Sequence, residues 1–207
     1  MTTEAPYDAV IIGAGLAGLT AAHVLSRNRW RIALVEARTR VGGRAYSIPM
    51  AGGALDAGAT WFWENEPLIS DAISNLRLET YPQNIDGDAL FQSIDGDVRR
   101  LDGNPIDQPA FRLVGGAQQL AQALAVGLPR GVLRLGSPVS SVAIHEDELK
   151  ISTETQELCA TQAILAVPPA LAVDQITFQP GLPPSNGGGC TVHTSVDGRD
   201  GQSYCCL

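Results

Sequence analysis

Three glycines, Gly13, Gly15 and Gly18, stand as G-x-G-x-x-G between an apolar run and a helical pattern, and an acid, Glu36, follows. Glycines alone often do no more than shape a turn. Between a strand and a helix, with an acid about 20 residues further on, they suit a dinucleotide. Gly13 permits the tight turn, Gly15 lets a pyrophosphate approach the backbone, and Gly18 lets the helix sit close to the strand. The unpaired N–H groups and positive dipole end of the helix then face the phosphates. Glu36 is placed to accept hydrogen bonds from a ribose diol, and its charge repels a 2′-phosphate. On these residues alone NAD and FAD remain equally open.

Positioning them requires a βαβ unit, and the sequence supplies one. Tyr7–Ile12 is an apolar run of strand length, and Ala17, Ala21, Val24 and Leu25 recur on one face of a helix. Asn28 stops that helix before a second strand, Arg31–Glu36, whose continuous apolar run suits a parallel strand covered on both faces. Downstream, Pro67 opens a helix carrying Leu68, Ile69, Ala72, Ile73 and Leu76. Ala89–Leu101 reads as a hairpin turning at Asp95-Gly96, and Ala117–Val126 as a helix after Gly115-Gly116. Val139–Ile144, Glu148–Ser152 and Thr161–Val167 read as an antiparallel meander ending at Pro168-Pro169.

Composition bounds the function. The 207 residues suffice for one domain, or one and part of another, and 44% hydrophobic with 17% charged residues is a globular profile. A net charge of −8 without any basic run gives nucleic acid nothing to bind. The apolar stretch Ala9–Leu25 is short for a membrane span, is broken by the three glycines, and follows no basic segment. A cytoplasmic protein with no membrane attachment is the expectation. Ser185–Leu207 lacks apolar periodicity and is expected to be unstructured. Its Cys190, His193, Cys205 and Cys206 match no zinc spacing, so no metal is assigned. His23 reads as structural, His145 as a solvated turn residue, and Trp61 and Trp63 as either core or cavity residues.

Glu36-Ala37-Arg38 through Arg40-Val41-Gly42-Gly43-Arg44 distinguishes the cofactors, because E-A-x-x-R-x-G-G-R resembles the flavin amine oxidase family. Further segments are similar in order and spacing. They are Leu55–Trp61, Leu78–Tyr81, Gly115-Gly116 with Gln119-Leu120, Pro138-Val139, Ala163–Pro169 and Ile176–Pro183. The likeness thus covers about Tyr7–Pro184.

The resemblance implies an α/β fold: a Rossmann-like FAD-binding βαβ domain with an antiparallel β-meander, part of a substrate domain, and a C-terminal part missing. It divides the chain into a βαβ and GGR segment (1–65), a partial substrate-domain insertion (66–112), a return to the FAD-binding domain (113–184) and the tail (185–207). It implies FAD held by Gly13, Ala14, Gly15, Gly18, Glu36, Ala37, Arg38, Gly43 and Arg44, with Arg44 at the phosphate and ribose. Gly58, Ala59, Thr60 and Trp61 would run beside the flavin ring, and the Val139 backbone would meet the adenine end. Family chemistry would then oxidise an amine to an imine by hydride transfer to flavin, with oxygen as acceptor. No catalytic residue can be named, and the missing part implies an impaired product. Two other readings stay open: a noncatalytic FAD- or ADP-binding fragment or half of a split flavoprotein, and a desaturase or protoporphyrinogen oxidase-like flavoenzyme; the expected partners, besides a small-molecule amine, are a complementing C-terminal half or a homo-oligomer.

Overall fold

The computed structural model describes residues 5–145 and 148–181, together with the backbone of Val192–His193 and Tyr204–Cys206. The chain opens with β1 (Ala9–Ile12), α1 (Leu16–Arg27) and β2 (Ile32–Val35). Next come β3 (Ser47–Met50), β4 (Gly53–Asp56), β5 (Phe62–Trp63), α2 (Pro67–Asn75) and β6 (Thr80–Pro82). They are followed by β7 (Ala89–Gln92), β8 (Val98–Leu101), β9 (Ala110–Leu113), α3 (Gln118–Val126) and β10 (Leu133–Arg134). The last elements are β11 (Val139–His145), β12 (Glu148–Thr153), β13 (Glu157–Ala160), β14 (Ala163–Leu165), α4 (Pro169–Gln175), β15 (Thr177–Gln179), β16 (Val192–His193) and β17 (Tyr204–Cys206). Two compact units result: Met1–Arg44 with Ala121–Leu207, and Ala45–Leu120.

In the first unit a sheet runs β10-β2-β1-β14-β17-β16, with β10, β2, β1 and β14 parallel. A second sheet runs β13-β12-β11-β15. Strand alternation sends Val10, Ile12, Ala33, Val35, Ala163 and Leu165 into one core with Val142, Ile151 and Leu158 of the second sheet. Ile11 and Leu34 alternate to the other face and are also fully buried, which is why these strands read as unbroken apolar runs. Tyr7 binds the entry of β1 to β13: its N–H donates to the Cys159 carbonyl at 2.8 Å, and its carbonyl accepts from the Thr161 N–H at 2.9 Å.

Four expectations change. The expected meander places Thr161–Val167 third, but the third strand is β13, and β14 instead joins the parallel sheet beside β1. The apolar Ala-Ile-Leu of β14 fits a strand covered on both faces, the same signal that identified β2. β15 then pairs parallel to β11, where only a connection was expected. On α1 the buried residues are Gly18, Leu19 and Ala22, while Val24 of the expected apolar face is exposed. The close seat of Gly18 turns the helix away from the face that hydropathy alone selects. Within the tail expected to be unstructured, β16 and β17 form an antiparallel pair, and β17 adds to β14. The side chains of Cys190, His193, Cys205 and Cys206 lie outside the described residues.

The second unit holds the β3–β4 hairpin, the three-stranded sheet β5-β9-β6, α2 and the β7–β8 hairpin. The β7–β8 turn has Gly96 at φ +92°, as Asp95-Gly96 required. Asp88 accepts from the Gly103 N–H and pairs with Arg100 at 2.5 Å, two contacts that hold its carboxyl below the usual carboxylate range. Pro67 opens α2 as expected, and Ile73 is its buried residue, whereas Leu68 is 85% exposed. Among the described residues no helix is long and apolar enough to cross a membrane.

Candidate functional site

The turn from β1 into α1 is shaped by two close approaches and one opening. Gly13 has φ +105°, its N–H donates to the Val35 carbonyl at 2.8 Å, and a Cβ there would lie 2.7 Å from the Ala166 carbonyl oxygen. A Cβ on Gly18 would lie 1.9 Å from the Gly13 carbonyl oxygen and 3.1 Å from Ala166 Cβ. Gly18 is therefore an interior residue that supports the turn from behind. Gly15 differs, since it has φ −72° and a Cβ there would meet nothing within 4 Å. It is the N-cap of α1, and no side chain caps that helix. A 12-residue helix thus presents an uncapped, electropositive N-terminus beside a residue with open space in front of it.

Glu36 closes on the same turn from the end of β2. It is 6% exposed, and its Oε2 accepts from the Ala14 N–H at 2.8 Å while Oε1 accepts from the Arg38 N–H at 2.9 Å. Its backbone is fixed as well, donating to the Arg134 carbonyl at 2.9 Å and accepting from the Ser137 N–H at 2.8 Å. A carboxylate oxygen has more than one acceptor position, so both oxygens retain capacity for hydroxyl donors. Ala37 and Arg38 are exposed beside it, with Arg38 Nη1 4.0 Å from Glu36 Oε1. Val139 is half-buried at the start of β11, where pairing with β12 is irregular between Val139 and Ser141.

The Gly42-Gly43 turn packs against the glycine turn. The Gly42 N–H donates to the Ala14 carbonyl at 2.9 Å, and a Cβ on Gly43 would lie 3.4 Å from Gly15 Cα. Positive φ at both residues, +105° and +55°, makes this approach possible. Arg40 braces it: Nη1 donates to the carbonyls of Val41 at 3.3 Å and Gly43 at 3.2 Å. The sequence pattern gives Arg40 no role of its own, although a guanidinium two residues before a glycine pair is suited to gathering the carbonyls on either side of Gly42. Arg44 follows as an exposed side chain.

The four remaining predicted residues belong to the second unit. Gly58, Ala59 and Trp61 are exposed, Thr60 is half-buried, and the Thr60 hydroxyl donates to the Gly58 carbonyl at 2.9 Å. Their approach is fixed at Asp56, whose Oδ1 accepts from the Ser47 hydroxyl at 2.6 Å and from the Ala117 N–H at 2.8 Å. Gln118 N–H donates to Ser47 Oγ at 3.0 Å, and Ser47 N–H donates to Gln118 Oε1 at 3.1 Å. Gly116 must be glycine for this clasp to close, because a Cβ would lie 2.4 Å from Ser47 Oγ.

Comparison with known proteins gives two family matches: residues 11–76 to the NAD(P)-binding Rossmann-like domain, and residues 99–188 to the flavin containing amine oxidoreductase family. Putrescine oxidase of Kocuria rosea is 37% identical over 94 residues, 45% of this chain and 20% of that protein. Amine oxidase [flavin-containing] A of Equus caballus is 34% identical over 91 residues, 44% of this chain and 17% of that protein. Among solved structures, putrescine oxidase bound to putrescine superposes with a TM-score of 0.74 at 20% identity, covering 86% of this chain and 62% of that one. Cyclohexylamine oxidase from Brevibacterium oxydans superposes with a TM-score of 0.75 at 20% identity, covering 86% of this chain and 61% of that one. The chain therefore matches about a fifth of these curated relatives and about three fifths of these solved chains.

Proposed function

We propose that the chain is the N-terminal portion of a flavin amine oxidase, a cytoplasmic FAD-dependent oxidoreductase oxidising an amine to an imine, a reading supported by its family match and curated relatives. The observation that carries the proposal is the 2.8 Å bond from the Ala14 N–H to Glu36 Oε2, which sets a buried acid against an uncapped helix N-terminus. Those parts fit a dinucleotide. The open face of Gly15 admits a pyrophosphate to the backbone, the α1 N–H groups supply donors, and Glu36 offers acceptors to a ribose diol.

In this reading Arg44 neutralises phosphate charge, the Val139 backbone meets the adenine end, and Gly58–Trp61 meet the ring system. FAD held by these residues would supply a hydride acceptor for the carbon beside the amine, with oxygen as the final electron acceptor. The residues of this chain bind and orient, and no proton transfer is assigned to any of them.

The test is direct. The purified chain is scanned for flavin absorbance, then mixed anaerobically with primary amines, polyamines and amino acids. Bound flavin bleached by an amine is the expected result. Bound flavin that no amine bleaches would favour a noncatalytic FAD-binding role, and failure to bind flavin at all would overturn both.

A further inference from the structure

We propose that the second unit carries a binding site for a small primary ammonium ion, in the cavity between α2 and the β5-β9-β6 sheet. The cavity has a volume of about 190 Å³. Phe62, Phe111 and Thr80 line it from the sheet, Ser70, Ile73 and Ser74 from the helix, and Glu64 from the connection between β5 and α2.

Strand register and helix period account for this lining. Phe111 pairs with Phe62 on one side and with Pro82 on the other, and Thr80, two residues before Pro82, projects to the same face. The Phe62 and Phe111 rings, with centroids 5.9 Å apart, make one apolar wall. Ser70, Ile73 and Ser74 stand at i, i+3 and i+4 on α2, so the helix turns two short hydroxyl side chains toward that wall, while Leu68 is left exposed. A longer apolar side chain at either serine position would occupy the space that serine leaves open.

The polar groups gathered there are unengaged. Phe62 and Ile73 are buried, whereas Glu64, Ser74 and Thr80 are exposed and Ser70 is half-buried, so the polar side chains lie toward solvent and the apolar ones beneath. Among the described residues the Glu64 carboxylate takes part in no ion pair or hydrogen bond, and neither do the hydroxyls of Ser70, Ser74 and Thr80. All four side chains can accept hydrogen bonds, and one of them is charged. The three N–H donors of a primary ammonium suit that set, with its charge met at Glu64. The apolar body of the ion then rests on Phe62, Phe111 and Ile73. The volume lies below that of pockets for drug-sized ligands, which keeps the ligand small.

Benzylammonium serves as the probe and benzyl alcohol as its neutral counterpart, each titrated without oxygen into the full chain as purified while backbone amide resonances are followed by NMR. Nothing at this site requires flavin, so flavin content is measured separately and the result is read at the amides of Ser70, Ser74 and Thr80. Benzylammonium is expected to shift these resonances and to bind about fivefold or more tightly than benzyl alcohol. Glu64→Gln, at an exposed position, should remove that preference, and Ser74→Leu should close the cavity and weaken both probes about tenfold. Shifts confined to other residues, or equal binding of the two probes, overturn the site without need of a variant. So does an undiminished preference in the Glu64→Gln protein, or a Ser74→Leu protein that binds both probes as the parent does.

Discussion

Replacing Gly18 with alanine is expected to destabilise the first unit by about 3 kcal/mol or more, or to prevent its folding. The added Cβ would lie 1.9 Å from the carbonyl oxygen of Gly13 and 3.1 Å from Ala166 Cβ. The first obstacle is backbone, which cannot rotate aside as a flexible side chain would. Nor can α1 retreat freely, because Leu19 and Ala22 beside Gly18 are fully buried. Gly15→Ala provides the contrast within the same motif: φ is −72° and the Cβ would enter open space, so its effect on stability should stay within about 0.5 kcal/mol. Urea denaturation followed by circular dichroism would check both. A Gly18→Ala protein melting with its parent would show that the turn and helix are not in the close contact described.

Glu36→Ala is expected to cost about 2–4 kcal/mol of stability before any ligand is considered. Two backbone donors, the Ala14 and Arg38 N–H groups, bond to its carboxylate at 2.8 and 2.9 Å, and deletion leaves both without that acceptor. Glu36→Gln should cost less: its amide oxygen can serve one donor, while its NH₂ group would face the other. Amide hydrogen exchange at Ala14 and Arg38 separates the cases, with both sites accelerated in the alanine variant and one in the glutamine variant. Unchanged exchange at both positions would mean that the carboxylate does not hold the turn.

The parts of this molecule that were legible beforehand are those where geometry restricts residue type. Positive φ at Gly13 and Gly96 and the terminal position of Pro67 each leave few choices, so the glycine turn, the β7–β8 hairpin and the start of α2 could be read directly. Pairing partners were less accessible. Ala163–Leu165 is apolar enough for a strand, yet nothing local says whether it continues a meander or crosses to lie beside β1. The different duties of the three motif glycines were also hidden, because spacing cannot show that Gly18 is walled in by backbone while Gly15 faces open space. Arg40 escaped notice because the role of a cation depends on which acceptors the fold brings to it.

Titration calorimetry of FAD and of ADP into the parent and Gly15→Ala proteins tests the dinucleotide site most directly. Both nucleotides should bind the parent, because ADP carries the pyrophosphate and the ribose diol that the turn and Glu36 address. Both should bind the still-folded Gly15→Ala protein at least about tenfold more weakly, since a methyl group then occupies the phosphate approach. A parent that binds neither nucleotide, or a Gly15→Ala protein that binds both as the parent does, would contradict the account.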